Sequence, residues 1–220
     1  GKFPRPGEIS LAHRGVLFVD EFTELEIRVL EALRQPLEDG DITVSRAKGT
    51  ITFPARSLMV FAMNPCPCGN YGSDKKPCLC TTQNLYRYQR KVSGPIADRI
   101  DIWLEVPHFE HEKMSEKSQK ESESIRKRVS SARDIQKERG MLNSEMRPKN
   151  LEEWAPLSAD AQNILYEAAK KLDLSARAYH RIIKLSRTIA DFEEQKDIKK
   201  EHLLEALQYR PRKNFFVYET

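Results

Sequence analysis

Val16-Leu17-Phe18-Val19-Asp20-Glu21 is a short apolar run, bounded by Gly15, that ends in two adjacent carboxylates. Its length and β-branched content predict a buried strand. In open α/β sheets ligands collect at the carboxyl ends of strands. An acid there can hold Mg²⁺, because the hard cation takes oxygen ligands, and a second acid can polarise a water for attack on a phosphate. The plainer reading of Asp20 and Glu21 is the start of a surface loop. Further along, Leu58-Met59-Val60-Phe61-Ala62-Met63 reads as a second buried strand and ends in Asn64. An amide at that point can hold an attacking water, although Asn before Pro65 also suits a plain turn. A third strand is expected over Ile100–Val106, closed by Pro107 and preceded by Asp98-Arg99. The Arg99 guanidinium can neutralise charge on a transferring phosphoryl group, or simply pair with Asp98.

Between these strands, apolar residues at Leu25, Val29, Leu30, Leu33 and Leu37 make a helical stripe. Glu38-Asp39-Gly40-Asp41 marks a turn. Ile42–Val44 and Thr50–Phe53 alternate around Ala47-Lys48-Gly49 and predict a β-hairpin. Leu85 to Lys91 suggests a short basic helix.

The character changes after Pro107. Residues 112–139 are polar, free of Gly and Pro, and carry Ile125, Val129, Ala132 and Ile135 at helical spacing, with Gly140 as the stop. From Leu151 onward the pattern is helical, with Ser158 and Ser175 placed as N-caps. The fold class expected is α/β: a parallel sheet with helices and a hairpin over 1–108, a helical linker over 109–150, and a small all-helical domain over 151–220. A hydrophobic share of 39% allows a core, and a net charge of +4 is too small to demand or forbid a nucleic-acid partner. No apolar run approaches the roughly 18 residues of a membrane span. The expectation is a cytoplasmic protein without a membrane partner.

Four cysteines, Cys66-x-Cys68 and Cys78-x-Cys80, sit on one loop, separated by nine residues that include Gly69, Gly72 and Pro77. Four soft ligands suit tetrahedral zinc. The Cys-x-Cys spacing is tighter than the commoner Cys-x₂-Cys, so free thiols or incidental disulfides stand beside zinc as the alternative.

Several collinear stretches resemble one family. They are Pro4–Glu21, Leu33-Arg34-Gln35-Pro36-Leu37-Glu38-Asp39-Gly40, Met63–Gly69, Ser93–Asp101 and Leu174–Ile182. Together they look like the magnesium-chelatase-like AAA+ ATPases, and within them the ComM (YifB) competence-protein branch. The resemblance implies an AAA+ P-loop NTPase core followed by a helical lid. It makes Asp20 and Glu21 the Walker B pair, Asp20 on Mg²⁺ and Glu21 activating water, and Asn64 the sensor-1 residue. It makes Arg99 an arginine finger acting on ATP held by the next subunit. Arg177 becomes the sensor-2 arginine reaching the phosphates, with Arg181 one turn on as the rival for that role. The hairpin becomes an insertion placed to touch substrate or a neighbour. ATP, Mg²⁺, a homo-oligomeric ring (a hexamer) and DNA are the cofactors and partners implied. Lys75, Lys76, Arg87, Arg90 and Lys91 would suit DNA phosphates, or form a solvated basic face.

One family element is missing. Nothing in the chain fits Gly-x-x-x-x-Gly-Lys-Ser/Thr, whose amides and lysine cradle the phosphates. The chain is therefore expected to enter its domain part-way, to be inactive alone, and to leave Ile100–Val106 without its neighbouring strand and open to exchange between copies. Two rival functions remain: a chelatase-type subunit using ATP to drive metal insertion, and a non-catalytic, zinc-stapled interaction module.

Overall fold

The computed structural model describes residues 4–46, 49–92, 94–106 and 119–211. The expected hairpin tip at Ala47 and Lys48, the strand-closing Pro107 and the first part of the predicted polar helix, 112–118, lie outside these residues. Contacts divide the chain into two compact units, one running to Ile100 and one from Asp101 to Pro211.

The first unit is a mixed α/β arrangement with a small parallel sheet. In order it holds α1 (Glu8–Leu11), β1 (Val16–Val19), a 3₁₀ turn (Phe22–Glu24), α2 (Ile27–Ala32), α3 (Arg34–Asp39), β2 (Asp41–Arg46), β3 (Gly49–Pro54), β4 (Leu58–Phe61), α4 (Thr82–Gln89) and α5 (Gly94–Ala97). β1 and β4 pair in parallel with Val16 opposite Leu58 and Val19 opposite Phe61. β2 and β3 pair antiparallel, Ile42 opposite Phe53.

The single helix expected over Leu25–Leu37 is two helices. Pro36 has no N–H, and its ring crowds the carbonyl four residues back, at Ala32, where α2 ends. The stripe survives the break: Leu30 and Leu33 are buried and Pro36 joins them. Gly40 stops α3 in the left-handed region, φ 72°. Any side chain there would meet Arg56, whose Cγ lies 2.7 Å from where a Cβ would sit.

Two further expectations need correction. β1 and β4 are half-buried rather than buried: Val16 and Phe18 are each 61% exposed and Leu58 64%. Successive strand residues face opposite ways, and among the described residues only the inner set, with Phe61 against Phe22 at 4.4 Å between ring centres, finds a core. No strand forms over Ile100–Val106. A strand needs a neighbouring backbone to answer its N–H and C=O groups, and this segment joins no sheet among the described residues. Trp103 N–H donates instead to the Tyr209 carbonyl at 2.9 Å, and Leu104 and Val106 are 71% and 77% exposed.

The second unit is helical: α6 (Gln119–Glu138), a 3₁₀ turn (Asn143–Glu145), α7 (Pro148–Trp154), α8 (Ala159–Leu172), α9 (Ala176–Phe192) and α10 (Lys200–Gln208). Ser158 Oγ accepts from Ala161 N at 3.2 Å and Ser175 Oγ from Ala178 N at 3.1 Å, so both predicted caps are made. The core gathers Met146, Leu151, Leu165, Ile182, Ile198 and Leu203 around α9. Beside it lies a buried polar knot. Asp191 accepts from Arg187 Nε at 3.0 Å, from Arg139 Nη2 at 2.5 Å and from Asn143 Nδ2 at 2.7 Å. α6 packs on α9 within this unit. Its exposed Ile125 and Val129 look away from the core, while Ala132 is buried.

Candidate functional site

Parallel pairing sends β1 and β4 out of the sheet on the same side. Asp20 and Asn64 therefore follow the ends of neighbouring strands. The ladder continues past both ends: Ala62 N donates to the Val19 carbonyl at 2.9 Å, and Phe22 N to the Ala62 carbonyl at 2.9 Å. Between those bonds the chain turns sharply at Glu21, which sits in the left-handed region at φ 49°, ψ 41°. A non-glycine residue held there stores roughly 1–3 kcal/mol, and such strain concentrates at functional sites. The Glu21 amide donates to Asp20 Oδ1 at 2.8 Å, which fixes the Asp20 carboxylate against its own backbone. Asp20, Glu21 and Asn64 are all exposed.

Beneath this rim runs a buried bridge. Thr23 Oγ1 donates to the Tyr88 hydroxyl at 2.5 Å, and the Tyr88 hydroxyl donates to the Asn64 carbonyl at 3.2 Å. Burial pushes the Tyr88 phenol above its ordinary value, so at neutral pH it keeps its proton and can donate. Lys91 Nζ donates to the Thr23 carbonyl at 2.7 Å and stands 3.8 Å from Glu24. Lys91 thus belongs to this support rather than to a free basic face. Sequence reasoning missed Thr23 and Tyr88. The spacing of Leu85, Tyr88 and Val92 marks an inward helix face, yet nothing local says what the phenol meets.

The remaining predicted residues stand elsewhere. Arg99, its side chain 11% exposed, pairs with Glu38 at 3.1 Å and donates to the Pro95 carbonyl at 2.5 Å. In the second unit, Arg177 lies in the first turn of α9 and is exposed. Arg181, one turn on, pairs with Asp101 at 2.6 Å.

The loop after Asn64 gathers the four cysteines, none in a disulfide. Their sulphurs all lie within 4.8 Å of one another. The backbone amides of Asn70 and Leu79 hold the Cys68 thiol down at about 6. Burial pushes Cys80 up to about 12. Crowded thiols cannot all ionise without a cation among them, so these two divide into an easy and a hard proton.

The sequence model described as "Magnesium chelatase, subunit ChlI" matches residues 1–114, and that for "Magnesium chelatase, subunit ChlI C-terminal" matches residues 119–210. The chain belongs to the magnesium chelatase ChlI family. Within that family it is similar to the competence protein ComM of Haemophilus influenzae, 45% identical over 96% of this chain and 42% of that protein. To the magnesium-chelatase subunit ChlI of Trieres chinensis it is 28% identical over 59% of the chain and 36% of that protein. It is also 30% identical to the DNA replication licensing factor Mcm6 of Drosophila pseudoobscura pseudoobscura, over 44% of the chain and 11% of that protein. The likeness thus favours the ComM branch of the magnesium chelatase ChlI family. The chain spans about two fifths of the length of the ComM relative. Among the described residues no helix is long and apolar enough to cross a membrane.

Proposed function

We infer that this chain is the water-activating and lid portion of an AAA+ ATPase that couples ATP hydrolysis to the remodelling of DNA. The observation that carries this reading is the shared rim: Asp20-Glu21 and Asn64 leave adjacent parallel strands on one side, tied underneath through Thr23 and Tyr88. The exposed carboxylates are hard oxygen donors, the kind Mg²⁺ selects. Asp20 would hold the ion of Mg·ATP, which neutralises phosphate charge when bound. Glu21 would take the proton of a water that the Asn64 amide orients. Arg177 would reach the phosphates from the lid, with Arg181 as the alternative. Arg99 would leave Glu38 to serve ATP on a neighbouring copy in a hexameric ring. DNA as the substrate is supported by the relatives: the strongest likeness given above is to a competence protein, and a weaker one is to a DNA replication licensing factor. A chelatase-type role has the family description in its favour, but the likeness to ChlI is lower and covers less of the chain.

The test is the whole parent protein with Glu21→Gln. ATP should still bind, while hydrolysis, with and without DNA, should fall by about 10²–10⁴-fold, the usual worth of a general base. Unchanged turnover in that variant would overturn the reading.

A further inference from the structure

The sulphurs of Cys66 and Cys68 are 3.4 Å apart, those of Cys66 and Cys78 3.7 Å, and those of Cys68 and Cys78 3.6 Å. All four lie within 4.8 Å of one another. Four thiolates at about 2.3 Å from one zinc, in a tetrahedron, stand about 3.8 Å from each other. A disulfide would need about 2.05 Å. The cage thus has the size of one ion, too tight for a multi-iron cluster. Its surroundings are built for ligands. Gly69 and Gly72, both at positive φ, fold the loop back. The Tyr71 amide donates to the Cys66 sulphur at 3.3 Å, the kind of outer bond that orients a metal ligand. Cys66 is wholly buried.

The cage also occupies a particular place in the chain. Cys66 follows Asn64 by two residues, and Cys80 precedes Thr82, the first residue of α4, by two. One ion there ties the segment leaving β4 to the segment entering α4. α4 carries Tyr88, whose hydroxyl joins Asn64 to Thr23.

We propose that Cys66, Cys68, Cys78 and Cys80 bind a single Zn²⁺, and that this ion is a positioning device that seats α4 so that Tyr88 clamps Asn64 to the segment after Asp20-Glu21. The metal itself does not depend on the nucleotide reading. The readouts below need no ATP, so their failure and the failure of that reading are separable.

The test uses this chain, purified without chelator, and elemental analysis. About one zinc per chain is expected, falling below about 0.2 in Cys68→Ser/Cys78→Ser. Replacement by Co²⁺ should give the intense thiolate-to-metal absorption of a tetrahedral site, absent from the double variant. Amide exchange should then quicken at least tenfold across 64–89 once a chelator removes the ion, while α9 in the second unit keeps its protection and shows that the chain is still folded. Less than about half a zinc per chain, iron in its place, or zinc retained by the double variant would overturn the site. Unchanged exchange over 64–89 after metal loss would overturn its positioning role.

Discussion

Asp191 is a fully buried carboxylate that answers two guanidiniums, Arg187 and Arg139, and the Asn143 amide. Burial pulls Arg187 below its ordinary pKa, and the Asp191 charge works against that pull. Removing one member of such a set leaves a buried charge without its counter-ion, which costs about 3–5 kcal/mol. Asp191→Ala should lower the unfolding free energy of the second unit by about that amount in urea titration; a loss under 1 kcal/mol would show that the Lys196 and Gln195 carbonyls, which accept from Arg187 Nη1 and Nη2, suffice without the carboxylate. This knot was invisible in the sequence, because its two halves, Arg139 with Asn143 and Arg187 with Asp191, lie about fifty positions apart and each member looks like an ordinary surface residue. Asp20, Glu21 and Asn64 were legible for the opposite reason: each ends an apolar run, and a local pattern is enough to mark a strand end. Tyr88 and Thr23 were not, since a hydrogen bond across 65 positions leaves no trace in either neighbourhood.

At the scale of elements, punctuation was readable where it acts through covalent geometry and unreadable where it needs a partner. Ser158, Ser175 and Gly140 end or begin helices by their own chemistry. Pro36 does too, although the stripe through Leu37 hid the break it makes. Ile100–Val106 alternates well enough for a strand, but a strand exists only beside another, and Ile102, Leu104 and Val106 instead stay in water. Gly40 offers a direct check on local geometry. Gly40→Ala combines a positive φ, worth about 1–2 kcal/mol against an L side chain, with a collision at Arg56. Its thermal midpoint should fall by several degrees. A midpoint equal to that of the parent chain would mean that Arg56 moves aside freely and the turn relaxes.

For the whole molecule, the two units differ in how complete they are as packed bodies. The second surrounds a continuous apolar cluster with its own caps and a satisfied polar knot. The first presents Val16, Phe18, Leu58 and Val60 to solvent from one sheet face. Apolar surface of that kind invites contact with other protein. The chain also contains no Gly-x-x-x-x-Gly-Lys-Ser/Thr segment, so the 220-residue chain by itself should show no micromolar ATP binding in calorimetric titration. Tight binding there would mean that the rim and lid residues grip phosphates without a phosphate loop, and the roles given to Asp20 and Arg177 would need redrawing.

The pairing of Val19 with Phe61 works as a ruler. A slip of one residue between β1 and β4 would slide the carboxylate about 3.3 Å along the strand axis and flip every side chain of that strand to the opposite surface. The inward residues Leu17, Val19, Met59 and Phe61 therefore set the gap between an acid and an amide without lending a polar side chain to it, and a mutation that loosened this grease would move the two apart while leaving every polar side chain in the chain unchanged.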